Sequence, residues 1–93
     1  MRIKWTGKAV SDLARLHDFL RPVAPDAAAQ VVRQLAGAPD RLIHYPRLGE
    51  KLEAYEPREV RRIFVGDYEM RYEVADGTVF ILRLWHYREN REP

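Results

Sequence analysis

The sequence predicts an α+β fold in which a two-helix hairpin packs on one face of an antiparallel sheet. Three observations carry this. Residues 58–86 break into the runs VRRIFV, YEMRYEV and TVFILRLWH, punctuated by Gly66-Asp67 and Asp76-Gly77. Two earlier stretches place apolar residues at helical spacing, with Pro22 and Pro25 between them. A short apolar–polar alternation, Arg2-Ile3-Lys4-Trp5, precedes the first helix.

Each element has a local cause. Ile3 and Trp5 fall on one face of a short strand, because strand side chains alternate. Thr6 is a good helix N-cap: its hydroxyl can accept from an otherwise orphaned backbone N–H. Val10, Leu13, Leu16, His17 and Leu20 follow at a helical period. Pro22 stops that helix, since proline cannot continue the backbone ladder. Pro25 suits the first turn of a second helix, and Asp26 complements its positive end. Ala28, Val31, Val32, Leu35, Leu42 and Ile43 give it an apolar stripe. Gly37 and Pro39 interrupt the stripe, which predicts a kink or break there. The short link predicts an antiparallel hairpin over residues 7–45. Leu48, Leu52 and Tyr55 are expected to hold down the charged loop 47–57. The whole chain, residues 1–93, reads as one domain: strand 1–5, helical hairpin 7–45, three-stranded antiparallel sheet 58–86 and polar tail 87–93.

The turns fix a strand register. Glycine first suits a type II′ hairpin turn, and Asp-Gly suits type I′. Two-residue loops then pair Val65 with Tyr68, Ile63 with Met70 and Arg62 with Arg71. In the second hairpin they pair Ala75 with Thr78, Tyr72 with Ile81 and Arg71 with Leu82. One face carries Ile63, Val65, Met70, Tyr72, Val74, Val79, Ile81 and Trp85 and is the expected core face. The other carries Val60, Arg62, Phe64, Glu69, Arg71, Glu73, Phe80, Leu82, Leu84 and His86 and is expected to be open. The first strand is expected to join the sheet edge.

Composition narrows the function classes. Lys and Arg total 16 against 14 Asp and Glu, a formal charge of +2. Thirteen of the basic residues are arginine, the side chain suited to bidentate contact with phosphate or carboxylate. There is no cysteine, which excludes disulfides, cysteine nucleophiles and thiolate metal sites and fits a reducing cytoplasm. The three histidines lack metal-ligand spacing, and no motif for a cofactor stands out, so neither a metal nor a cofactor is expected. Arg2 and Lys4 lead into no apolar run, so no signal peptide or membrane association is expected.

The expected open face holds the candidate chemistry. His86 is the best single candidate for proton transfer, a task to which histidine is suited. Arg62 and Arg71 face each other across adjacent strands, and facing cations repel unless an anion or carboxylates intervene. Glu69 and Glu73 are the nearest carboxylates in the pattern. Tyr87, Arg88 and Arg91 follow the last strand. Together these residues are candidates for holding a phosphodiester or another target. Phe64, Phe80, Leu82 and Leu84 form an apolar row on the same face with no helix left to cover it, a pattern that marks a protein partner.

The residues resemble a known family. Lys4-Trp5-Thr6, Ala9, Asp12-Leu13, then Leu42, Tyr45-Pro46 and Gly49 are similar to the opening half of ParE/RelE-superfamily toxins. VRRIFVGDYEMRYEV and ADGTVFILRLWHYRENR are similar to their last three strands. The resemblance implies the toxin of a bacterial type II toxin–antitoxin module, cytoplasmic and held in a hetero-oligomer with a cognate ParD-like or similar antitoxin. ParE-like members poison DNA gyrase and are not enzymes. RelE-like members cut mRNA on the ribosome, and in them Arg62, Arg71, His86 and Tyr87 match catalytic positions. The near-neutral charge and the tail form His86-x-Arg88-Glu89-x-Arg91 favour the ParE-like branch.

Overall fold

A computed structural model describes residues 1–89. Its elements are β1 (Arg2–Trp5), α1 (Gly7–Leu20), α2 (Pro25–Gly37), α3 (Asp40–His44), β2 (Glu50–Lys51), β3 (Val60–Val65), β4 (Tyr68–Ala75) and β5 (Thr78–His86), with a 3-10 turn over Glu53–Tyr55. The helical segment breaks into α2 and α3 at Ala38–Pro39. The sheet has five strands in the order β1-β5-β4-β3-β2: the three expected, β1 at one edge as expected, and the two-residue β2, which was not expected, at the other. β1 lies parallel to β5, and the other pairings are antiparallel. Leu16 of α1, Leu35 of α2 and Leu42 of α3 pack on Ile63, Met70, Tyr72, Val79, Ile81 and Leu84. Burying each such side chain stabilises the fold by about 1.5–3 kcal/mol.

α1 carries on where β1 stops. β1 flanks β5 only as far as Ile81, and a strand edge left bare exposes unpaired backbone groups. Side chains of α1 and of its N-cap residue occupy the remainder. Thr6 Oγ1 lies 2.8 Å from the Ile81 carbonyl and 3.2 Å from that of Leu82, while accepting from the Ala9 amide as N-cap. Asp12 accepts from the Leu84 amide at 2.9 Å, and Arg15 donates to the Leu84 carbonyl at 3.0 Å.

Both turns match their sequences. Gly66 has φ +58°, and Asp76 and Gly77 have φ +53° and +68°, the left-handed region the II′ and I′ turns require. The β3–β4 register is the one the turn predicts. β4 and β5 pair as predicted from Ala75–Thr78 to Tyr72–Ile81, and then the register slips: Arg71 pairs with Arg83 instead of Leu82. Leu82 is the extra residue of a β-bulge, placed where β1 ends and the Thr6 hydroxyl meets two successive carbonyls.

One residue of slip exchanges faces for all that follows, which corrects three expectations. Leu84 pairs with Met70 and is fully buried in the core, so it cannot belong to an exposed apolar row. Trp85 pairs with Glu69 on the sheet face away from the helices. His86 pairs with Tyr68 on the helix side, not on the open face with Arg62 and Arg71. The loop also departs from expectation, because Leu48 remains 53% exposed.

Gly49 anchors the loop by close approach. Tyr72 is fully buried beneath it, its hydroxyl accepting from the Gly49 amide at 2.9 Å and donating to the Pro46 carbonyl at 2.8 Å. A Cβ on Gly49 would stand 2.5 Å from the Arg62 carbonyl oxygen and 2.8 Å from the Tyr72 hydroxyl. Gly49→Ala is therefore expected to cost about 1–3 kcal/mol, read as a lower urea midpoint. Gly37→Ala meets nothing within 4 Å and serves as the control that does not lower it.

Candidate functional site: an arginine–aromatic sheet face and a groove beside α1

On the face away from the helices, cations and rings alternate. Trp85 is 4% exposed and lies between two guanidinium groups, Arg71 at 4.8 Å and Arg83 at 4.9 Å from its ring centre. Arg71 also donates to the Tyr55 hydroxyl at 2.9 Å. Arg62 stands over Phe64 at 5.4 Å. Arg62 and Arg71 are directly opposed across β3 and β4, and carboxylates separate them. The fully buried Glu69 accepts from Arg71 Nε at 2.7 Å and lies 3.7 Å from Arg62. Glu50 binds Arg62 Nε at 2.6 Å. Glu73 serves Arg58 instead, through two bonds of 2.8 and 3.1 Å. The arginines of this face are thus bound to acids and rings of the same chain.

Asp12 is the electrostatic centre between α1 and β5. It is 4% exposed. Arg83 donates to it at 2.8 and 3.2 Å, Arg15 at 3.1 Å and the Leu84 amide at 2.9 Å. Burial alone pushes its carboxyl up. The bonds from Arg83, Leu84 and Arg15 outweigh that and hold it below the usual carboxylate range.

The helix side carries a second feature. A groove of about 540 Å³ runs between the C-terminal half of α1 and the end of the sheet, lined by Arg15, Leu16, Phe19, Leu20, Tyr68 and His86, with Arg88 and Glu89 at its rim. Phe19 is 79% exposed, and Val23 in the following turn is 88% exposed. His86 meets Tyr68 edge-on at 5.2 Å and Tyr87 at 4.7 Å. The Arg88 amide donates to His86 Nδ1 at 3.2 Å. Glu89 closes the turn, accepting from the His86 amide at 2.8 Å and forming an ion pair with Arg15.

The candidates therefore divide. Arg62, Arg71 and Phe64 share the open face, with Phe80 half-buried on it, while Leu82 sits half-buried in the bulge. His86 and Arg88 border the groove on the other side, and the Tyr87 hydroxyl accepts from Arg88 at 2.8 Å. Arg91 lies outside the described residues. Asp12, Arg15, Tyr55 and Arg83 were not singled out as site residues from sequence. Asp12 had a signal: it sits between Ala9 and Leu16 at helical spacing, a charge inside a buried stripe. Tyr55 had none beyond its loop.

A family model described as the ParE toxin of the type II toxin–antitoxin system parDE matches residues 3–91, and the chain belongs to that family. It is 36% identical over 85 residues to "Toxin RelE2" of Caulobacter vibrioides, covering 91% of this chain and 93% of that protein. Its fold is similar to a chain of the chromosomal ParDE system from P. aeruginosa, with a TM-score of 0.76, 24% identity, and coverage of 90% of this chain and 92% of that one. It is also similar to a chain of the RelBE2 toxin–antitoxin complex from Mycobacterium tuberculosis, with a TM-score of 0.55, 28% identity, and coverage of 91% and 95%. Among the described residues no helix is long and apolar enough to cross a membrane.

Proposed function

We propose that this toxin acts by binding DNA gyrase rather than by cutting RNA, and that a cognate antitoxin silences it. One observation carries the choice: His86 and the arginines Arg62 and Arg71 stand on opposite faces of the sheet. A ribonuclease needs a proton-transferring group and a phosphate-stabilising cation within reach of one scissile bond. Arg62 and Arg71 are also engaged with Glu50 and Glu69, and Glu69 is too buried to meet a substrate. The formal charge of +2 supports the same reading, because phosphate contacts supply most of the affinity for a nucleic acid.

For the antitoxin, the groove beside α1 is the favoured surface. Phe19 and Val23 offer exposed apolar area beside the cationic Arg15 and Arg88. Of the apolar row expected on the open face, Phe64 alone remains largely exposed and Leu84 is lost to the core. The antitoxin assignment is tested with Phe19→Glu, which is expected to weaken capture of the antitoxin while leaving the thermal midpoint near that of the parent.

The ribonuclease alternative is tested on translating ribosomes by mapping mRNA ends with and without the purified toxin. No toxin-dependent cuts are expected at doses that arrest growth, and His86→Ala and Tyr55→Phe should still arrest it. Cuts that disappear in either variant would contradict the proposal.

A further inference from the structure

The loop between α3 and β2 is a braced turn that holds apolar side chains in solvent. The Leu48 amide donates to the Tyr45 carbonyl at 3.1 Å, closing a four-residue turn with Pro46 in its second position, where the fixed φ of proline is suited. The buried Tyr72 hydroxyl pins this loop at the Pro46 carbonyl and at the Gly49 amide. Arg61 adds a third tie, donating to the Gly49 carbonyl at 2.8 Å. The backbone is therefore fixed, yet Tyr45 and Leu48, the two ends of the turn, are 67% and 53% exposed.

Leu48 borders a shallow hollow of about 330 Å³ whose walls include Arg41 of α3, Glu50 of β2 and Arg62 and Phe64 of β3. Phe64 is itself 55% exposed. Exposed apolar patches mark protein contacts, and aromatic residues with arginine are the composition of interface centres. The charge is lopsided. Arg47 and Arg62 are paired with Glu59 and Glu50, whereas Arg41, exposed at the end of α3, forms no ion pair among the described residues. An excess of arginine favours an acidic partner. A second copy of this chain is a poor occupant, since it would bring the same excess against itself. The antitoxin groove, built from α1 and the ends of β4 and β5, shares no residue with this patch.

We propose that this patch is the surface by which the toxin grips gyrase, and that it meets an acidic, apolar-bearing area of that enzyme. Tyr45, Leu48 and Phe64 seat against the apolar part, and Arg41 and Arg62 meet carboxylates beside it. A turn already held in its binding shape has less freedom to lose on association. This rests on the reading of gyrase as the target. It places the target surface on the β2–β3 side of the molecule, apart from the antitoxin groove beside α1.

Affinity of antitoxin-free toxin for intact immobilised gyrase tests this, with antitoxin capture and the thermal midpoint measured on the same variants. Leu48→Glu and Phe64→Glu are each expected to weaken gyrase binding about tenfold or more, as at other interface centres, and Arg41→Glu to weaken it severalfold through charge. All three alter exposed side chains, so the thermal midpoint and antitoxin capture should stay near those of the parent. Val10→Glu, on an exposed position of α1, is the control that should bind gyrase as the parent does. Unchanged gyrase binding by Leu48→Glu and Phe64→Glu overturns the proposal and leaves the gyrase reading standing. So does a loss of antitoxin capture with gyrase binding intact, which would give the patch to the antitoxin. An equal loss in Val10→Glu makes the effect one of charge alone, and undiminished binding by Arg41→Glu rules out the acidic partner. A parent toxin that arrests growth without binding gyrase overturns both readings.

Discussion

Asp12→Ala is expected to destabilise the fold by about 3–5 kcal/mol, the range for breaking a buried ion pair and stranding its partners. The substitution leaves the Leu84 amide without its acceptor and removes the carboxylate that holds Arg83 and Arg15. The total stability of a small domain is about 5–15 kcal/mol, so much of it is at stake. For a chain of this size the thermal midpoint should fall by more than ~10 °C. The effect is also pH-dependent with a definite sign. The folded carboxyl of Asp12 is held below its ordinary value of 3.8, so its contribution is complete above that value and fades as the pH falls through the lower, folded one. The stability difference between the parent and Asp12→Ala should stay constant from neutral pH down to about pH 5 and narrow at more acidic values. Glu59 and Glu73, also held low by Arg61 and Arg58 respectively, titrate in both proteins and cancel in the comparison. Chemical denaturation at a series of pH values reads this out. A gap that widens on acidification contradicts the role assigned to Asp12.

Trp85→Ala is expected to cost a similar amount, about 3–5 kcal/mol for removing a large buried aromatic side chain. The reason lies in the two cations stacked on its ring. Arg71 and Arg83 are cross-strand partners, and like charges in that position destabilise a sheet. The indole offers each a π-face at 4.8–4.9 Å, an arrangement that contributes about 0.5–2 kcal/mol per contact. Trp85→Phe keeps a ring and should recover more than half of the loss, whereas Trp85→Leu, of comparable apolarity but without a π-face, should recover less. Equal recovery by Phe and Leu, read from urea midpoints, would reduce the role of Trp85 to simple packing.

Much of the fold was legible because its causes are local. Gly66-Asp67 and Asp76-Gly77 dictate their turns, Thr6 caps α1, and the α2–α3 break falls at Ala38–Pro39. The β3–β4 register follows from one turn and its alternation. The β4–β5 register could not be carried to the end of β5. The bulge at Leu82 answers to a non-local event, the arrival of Thr6 and Asp12 at the strand edge. No property of the run FILRLWH announces it. That single inserted residue moved His86 away from Arg62 and Arg71, turned Leu84 into the core and brought Trp85 between two arginines. The charge ladder was legible only in part: Glu69 was foreseen between Arg62 and Arg71, but Glu73 turned to Arg58 and Glu50 arrived from β2, a strand of two residues. The placement of Leu84, Trp85 and His86 by alternation therefore failed at the one place where the alternation breaks.

The measurement closest to the central claim is a gyrase assay with antitoxin-free toxin, relaxed plasmid and ATP, followed by denaturation and gel analysis. Dose-dependent loss of supercoiling with accumulation of linear DNA from trapped cleavage complexes is expected, unchanged by His86→Ala. Gyrase that supercoils normally in large excess of a toxin that still arrests growth would contradict it.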